Sequence, residues 1–191
     1  MSRVDHAGTP FGAVLARAQS GEAEAIASLW RTYAPVVAGY ARLEGMPDPD
    51  DLTSDVFLGA IRTLGRFRGG EAQFRSWLFT IAYRRVVDVR RRQGRRHIET
   101  RSDVDSLGAP GGTAASAEEV ALGRAGSERV EELCGRLVPA QREVLVLRLV
   151  GGLTIDEVAD ITERSPGATK ALQRRGLSAL SRILDREAVP L

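Results

Sequence analysis

The sequence predicts an all-α chain, arranged as two small helical domains joined by a flexible linker. Three observations predict it. Apolar residues recur at helical spacing over most of the 191 residues, which is the period of a helix with one buried face. Strand-type alternation persists nowhere. Residues 97–117, HIETRSDVDSLGAPGGTAASA, lose the period and are rich in Gly, Ser, Ala and Asp, a composition that favours a tether between two periodic blocks.

The elements follow in order. Residues 1–10 read as a disordered N-terminus. Phe11 to Gln19 forms a short helix with Val14, Leu15 and Ala18 inward, ended by Gly21. A longer helix from about Ala23 to Leu43 carries Ile26, Leu29, Trp30, Tyr33, Val37 and Tyr40 at helical spacing, and Pro35 is expected to bend or split it. Gly45 and Pro47 break the chain. Asp48-Pro49-Asp50-Asp51 starts the next helix, with Asp48 as N-cap, Pro49 in the first position and acids at the positive end of the dipole. That helix reaches about Phe67 and aligns Leu52, Val56, Ala60 and Leu64, with Phe57 and Ile61 beside them. After Gly69-Gly70 a further helix runs from about Phe74 to Arg92, with Phe74, Trp77, Leu78, Ile81 and Val89 on one side. Helical pattern resumes near Ala117.

Residues 138–183 read as three short helices. Pro139 opens the first, which ends before Gly151-Gly152. Thr154 caps the second, with Glu157 as its capping-box partner. Ser165 caps the third, with Pro166 in its first position. The third carries Lys170, Gln173, Arg174 and Arg175 on a polar side and Ala168, Leu172, Leu180 and Ile183 on an apolar side. Two helices joined by a short turn, the second cationic where exposed, fit a helix-turn-helix that lays its last helix in the major groove. The alternative is a plain three-helix packing unit with solvated charges.

Net charge is only +2, but its distribution is uneven. Residues 1–61 hold four basic and eight acidic side chains, 62–96 hold eleven and two, and 97–139 hold four and eight. The concentrated positive field suits a polyanion partner. Of 27 basic residues only Lys170 is lysine, which fits phosphate-forking arginines and a GC-rich genome equally. Cys134 is the single cysteine, so an internal disulfide is excluded; it reads as a buried thiol in a reducing compartment. His6 and His97 stand apart, and no zinc site is expected. No apolar run has the length of a membrane span and no signal-peptide core is seen, so a cytoplasmic protein is expected.

Two constellations remain. Residues 62–96 interleave Phe67, Phe74, Trp77, Phe79 and Tyr83 with ten arginines from Arg66 to Arg96. Aromatics stack on unpaired bases while arginines track phosphates, so the mixture suits opened nucleic acid. The alternative is that Phe74, Trp77 and Leu78 are core. The second is the acidic cluster Asp48, Asp50, Asp51 and Asp55. It can be read as a divalent-metal pair, as helix capping, or as a docking surface for a basic protein; no side chain is placed to complete a hydrolytic site.

The order of the parts resembles a bacterial RNA polymerase sigma factor of the extracytoplasmic-function (ECF) type, with regions two and four only. Asp51-Leu52-Thr53-Ser54-Asp55-Val56-Phe57 looks like the family's core-binding helix. Phe67-Arg68-Gly69-Gly70, Phe74-Arg75-Ser76-Trp77-Leu78, Ile81-Ala82 and Val87-Asp88 with Arg90 to Arg92 look like its promoter-melting segment. Leu137, Pro139, Arg142-Glu143-Val144, Leu147, Gly152-Leu153-Thr154, Glu157-Val158-Ala159 and Ser165 to Lys170 match region four. The resemblance implies region two over 11–96, a flexible linker over 97–129 and region four over 130–187. It implies that Asp51, Ser54 and Asp55 bind core polymerase, on the clamp helices of its beta-prime subunit, with the beta flap as a further contact. It implies minus-ten contacts by Gly70, Gln73, Phe74, Arg75, Trp77, Tyr83, Arg84, Arg85, Asp88 and Arg91. Minus-thirty-five contacts fall to Arg164, Ser165, Gly167, Ala168, Lys170, Ala171, Arg174 and Arg175. Partners would be core RNA polymerase, promoter DNA both double-stranded and melted, and an anti-sigma factor; no cofactor, metal or catalysis is implied. The chain departs from the pattern at three places. Ser54 stands where many members carry glutamine, Tyr83-Arg84 replaces a common Arg-Asn pair, and Thr169 sits where an apolar residue is usual, so looser packing of the recognition helix is expected.

Two rival functions can be written on the same residues. One is a dimeric helix-turn-helix regulator without polymerase, which would not need the Asp51/Asp55 helix. The other is a metal-dependent nuclease built on Asp48 to Asp55.

Overall fold

A computed structural model describes residues 11–99 and 117–188, with side chains over 11–93 and 126–187. The predicted N-terminal tail and most of the predicted linker lie outside the described residues. The helices are α1 (Phe11–Gln19), α2 (Ala23–Leu43), α3 (Pro49–Leu64), α4 (Glu71–Glu99), α5 (Ala117–Gly135), α6 (Pro139–Leu149), α7 (Ile155–Thr162) and α8 (Pro166–Ala188). Among the described residues there is no strand, and no helix is long and apolar enough to cross a membrane.

The first unit packs α1, α3 and α4 around α2. Its innermost residues are Val37, Tyr40, Val56, Leu78, Phe79, Ala82 and Val86, all excluded from water. Phe74 is the hub of an aromatic cluster: Phe11, Tyr33, Phe67 and Trp77 surround it at centroid distances of 5.4, 5.1, 5.6 and 5.5 Å. Such offset and edge-on pairs add to area burial. The second unit packs α6 and α7 against α8 over a wholly aliphatic core of Val144, Leu145, Val146, Leu147, Leu153, Val158 and Ile161.

Several expectations need correction. Pro35 does not split α2, which runs unbroken through it. Proline removes one backbone donor, but it lies on the exposed face, so the freed carbonyl meets water while Tyr33, Ala34, Val37 and Ala38 stay packed. Trp30 and Ile61 sit on the rim rather than in the core, 40% and 41% exposed, and Trp30 leans on the Phe57 ring at 4.6 Å. α3 stops at Leu64, short of Phe67, and α4 starts at Glu71 and continues to Glu99. Residues 117–129 fall in the linker range that the resemblance implies, yet they belong to α5, which starts at Ala117, where the helical pattern of the sequence resumes.

The caps set the boundaries. Asp48 accepts the Asp51 N–H at 2.8 Å with Pro49 beginning α3. Thr154 and Glu157 close a full capping box on α7. Gly45, at φ +72°, lets Met46 donate to the Ala41 carbonyl and ends α2, a conformation that favours glycine. Glu44, the last residue before that turn, is thereby held inward, 1% exposed.

Candidate nucleic-acid interface

The loop between α3 and α4 is built for rigidity. Gln19 of α1 donates through Nε2 to the carbonyls of Leu64 and Phe67 at 3.0 and 2.9 Å. Gly70 N–H donates to Gln73 Oε1 at 3.0 Å, starting α4 three residues before Phe74. Gly69 adopts φ +147°, and a Cβ there would stand 2.8 Å from Gln73 Cβ; only glycine fits that approach. Gly69, Gly70 and Gln73 are exposed. Phe74 is not: at 2% exposure it is core, and in this state it presents no face to a base. Trp77 is half-buried, its ring 5.1 Å from that of Phe67. Phe74 is therefore core, while Trp77 packs against the core and keeps part of its ring open to solvent. Arg84, Asp88 and Arg91 lie exposed along α4, with Arg75, Tyr83 and Arg85 half-buried.

α8 presents the second cationic face. Ser165 Oγ accepts the Ala168 N–H at 3.2 Å, fixing the helix start. Arg164 is half-buried; Ser165, Gly167, Ala168, Lys170, Arg174 and Arg175 are exposed, and Ala171 is half-buried. Ala168 is thus an outward residue, and the expectation of an inward one is corrected. Thr169 takes the inward place, with no exposure and its hydroxyl donating to the Ser165 carbonyl at 3.1 Å. The hydroxyl is satisfied locally, so a polar side chain fills the inward place without leaving a buried group unpaired. Gly176 lets α8 close on α6, since a Cβ would stand 2.7 Å from Leu145 Cδ1. The arginine stripe extends further than the sequence reading placed it: Arg174, Arg175, Ser178, Ser181 and Arg182 line one shallow groove. The signal was a repeat of basic and hydroxyl residues every three or four positions.

Asp51, Ser54 and Asp55 stand exposed on α3. Ser54 Oγ donates to the Asp50 carbonyl at 3.0 Å. Asp51 and Asp55 share a cleft with Arg85, Asp88 and Arg92 of α4, so the acidic surface borders the basic one. Among the described residues no group of three or more His, Cys, Asp or Glu is arranged to hold a metal ion.

One constellation escaped the sequence reading. Glu44, the residue that caps the end of α2, has its side chain fully buried and meets Arg90 of α4 at 2.5 Å, and Arg90 also donates to the Glu44 carbonyl at 2.9 Å. Glu143 of α6 pairs with Arg164 at 2.7 Å and with Arg90 at 3.8 Å. Arg142 of α6 stands 3.9 Å from Glu44. Burial pushes the Glu44 carboxyl above its ordinary range, while Arg90 and Arg142 draw it back. Burial likewise raises the Tyr83 hydroxyl, and the nearby Glu143 carboxylate adds to the shift. The five charged partners, Glu44, Arg90, Arg142, Glu143 and Arg164, come from four separate stretches of sequence, and no local pattern joins them.

Comparison with known proteins gives these surfaces a family context. The Sigma-70 region 2 family matches residues 29–96, and Sigma-70, region 4 matches 127–180. The ECF RNA polymerase sigma factor BldN of Streptomyces coelicolor is 33% identical over 175 residues, covering 90% of this chain and 65% of BldN; the chain thus spans about two thirds of that relative. The ECF RNA polymerase sigma factor ShbA of Streptomyces griseus is 30% identical over 185 residues, covering 93% of this chain and 97% of ShbA. The solved structure of CnrH in complex with the cytosolic domain of CnrY has a TM-score of 0.64 at 26% identity, covering 93% of this chain and 99% of that one.

Proposed function

The chain belongs to the ECF-type sigma factors of bacterial RNA polymerase, and from that premise we propose how its surfaces divide the work of promoter-directed initiation. It is a non-catalytic subunit that binds core polymerase and selects the start site by contacts at the minus-ten and minus-thirty-five elements. It acts in the cytoplasm with the polymerase.

Asp51, Ser54 and Asp55 dock on the basic clamp helices of the beta-prime subunit, and region four meets the beta flap. Gly70 of the loop and the α4 side chains Gln73, Arg75, Trp77, Tyr83, Arg84, Arg85, Asp88 and Arg91 take the minus-ten strand. Opening a duplex costs stacking energy, and capture of an extruded base between ring and loop offsets part of it. The buried Phe74 supports that loop from beneath rather than touching DNA. Ser165, Gly167, Ala168 and Lys170, at the start of α8, face the minus-thirty-five major groove, with Arg164, Ala171, Arg174 and Arg175 around them. Phosphate contacts set register and base edges carry sequence.

The observation that carries this reading is the exposed Lys170–Arg174–Arg175 stripe on a helix that follows a capped turn. Because the solved CnrH structure is a complex with the cytosolic domain of CnrY, an anti-sigma factor is proposed as the controlling partner here too. The test is association with purified core polymerase, then run-off transcription from promoters enriched with the protein from genomic DNA. A promoter-specific transcript that needs this chain is the expected result. Folded protein that neither binds core nor yields a transcript would refute the proposal.

A further inference from the structure

The acidic face of α3 does not end at α3. Asp51 and Asp55 share a cleft of about 190 Å³ with Asp88 of α4, and Asp48, Arg85 and Arg92 line it too. Met46 and Leu52, both buried, and the half-buried Val89 give the cleft an apolar wall. Along α4, Asp88 stands one turn from Arg85 on one side and from Arg92 on the other. Arg85 leans away along α3, its guanidinium 4.0 Å from where a Cβ on Gly59 would stand. Among the described residues no side-chain hydrogen bond or ion pair engages the carboxylates of Asp51, Asp55 or Asp88. Asp88 also borders Tyr83, Arg84 and Arg91, so this one carboxylate stands between the acidic face and the promoter face.

We propose that the cleft is a socket for one long basic side chain of the polymerase clamp, an arginine or a lysine, gripped by Asp51, Asp55 and Asp88 together. The inference rests on the assignment of the α3 face to core polymerase given above, and it adds α4 to that docking surface. Four carboxylates against two guanidiniums leave the cleft negative, so it attracts a cation and turns away an acidic group. Its volume is below the roughly 300–1,000 Å³ of a small-molecule pocket, which suits a side chain rather than a metabolite. Long basic side chains lay their methylene stems on apolar surface and keep the charged head among polar groups. An apolar wall under a rim of unpaired carboxylates offers both. Arg85 and Arg92 on either side of Asp88 repel a second cation, which limits the socket to a single occupant. Asp88 thereby serves the polymerase as well as the minus-ten strand.

The test is binding of the full chain to purified core polymerase without DNA, where the part Asp88 has at the minus-ten strand does not enter the reading. Asp88→Asn keeps the shape and removes the charge, and should weaken core binding by about tenfold, in the range of close interfacial charge pairs. Asp51→Asn should do the same by itself. Residues that hold one partner couple, so the double variant should depart from the product of the two single losses by more than about twofold. Losses that simply multiply mark separate contacts and overturn the socket. Unchanged core binding in a folded Asp88→Asn overturns it as well. Should that variant lose its helical circular dichroism, Arg92→Gln reads the same cleft with the opposite sign. Removal of that like charge should tighten core binding by about twofold, the size of one exposed charge pair, and unchanged or weaker binding overturns the socket. If Asp51→Asn also leaves core binding intact, the α3 assignment falls and the socket with it. If Asp51→Asn weakens binding and Asp88→Asn does not, the socket alone falls.

Discussion

The two units solve different physical problems with different side chains. All five phenylalanines, two tryptophans and three tyrosines lie between Phe11 and Tyr83, and none follows. The first unit, around α2, builds an aromatic hub beneath an exposed glycine loop; the second builds an aliphatic core beneath an arginine stripe. A surface that captures unpaired bases needs π faces, whereas one that reads a closed duplex needs cations and a correctly aimed helix. The difference teaches that two helical units of one chain can be stabilised by different cores, rings in one and aliphatic side chains in the other, beneath differently built surfaces.

The largest effect should come from the hub. Phe74→Ala is expected to lower the stability of the first unit by about 3–5 kcal/mol, seen as a shifted urea transition of the fluorescence of Trp30 and Trp77, both in that unit. Leu147→Ala in the second unit should cost a comparable 2–5 kcal/mol and move the helical signal while leaving the tryptophan transition in place. If either substitution moves both signals together, the units melt as one body and the comparison breaks. Next, Asp51→Arg with Asp55→Arg places like charges against the clamp and should weaken core binding by about a hundredfold, close to 2.7 kcal/mol, without loss of duplex affinity. Core binding that survives the pair would detach the acidic face from its assigned partner.

Smaller effects sharpen the contrast. Arg174→Ala and Arg175→Ala should each reduce the salt dependence of duplex binding by about one unit of slope, read from affinities between low and moderate salt. Tyr40 is smaller still. Its hydroxyl is fully buried without a hydrogen-bond partner among the described residues, so Tyr40→Phe should raise stability by about 1 kcal/mol. Burial raises that hydroxyl well above its ordinary value, with Glu44 and Glu143 adding to the shift. Stability from a raised group is full below the ordinary tyrosine value near 10 and is lost as pH climbs through the shifted one. The phenylalanine variant should therefore lack that part of the alkaline loss in a denaturation series above pH 10.

Local signals were legible and tertiary ones were not. The caps at Asp48, Thr154/Glu157 and Ser165 depend on residues three apart, and each stands where the sequence placed it. The row Leu52, Val56, Ala60 and Leu64 is buried as its spacing required. Pro35 does not split α2 because the proline faces water on a helix whose other side is packed, which a breaker rule cannot see. Ala168 faces outward although its apolar side chain suits either face, and Thr169 fills the inward position, where the family usually carries an apolar residue, because its hydroxyl bonds to its own helix. Of the candidate site, the exposed loop, the acidic α3 face and the α8 stripe were found from sequence. The spacing of Phe74 fits both a buried ring and one open to a base, and only the tertiary packing around it decides for burial. Glu44, Arg90 and Glu143 were missed as a group because partners that lie 46 and 53 residues apart leave no periodic trace.

The central claim is that the aromatic unit opens DNA and the aliphatic unit reads it closed. Permanganate reactivity of thymines on a promoter bound by core polymerase with this chain tests that directly. Reactive thymines confined to the minus-ten segment, with an unreactive but nuclease-protected minus-thirty-five segment, are predicted. Reactive thymines at the upstream element, or none anywhere in a complex that initiates, would contradict it.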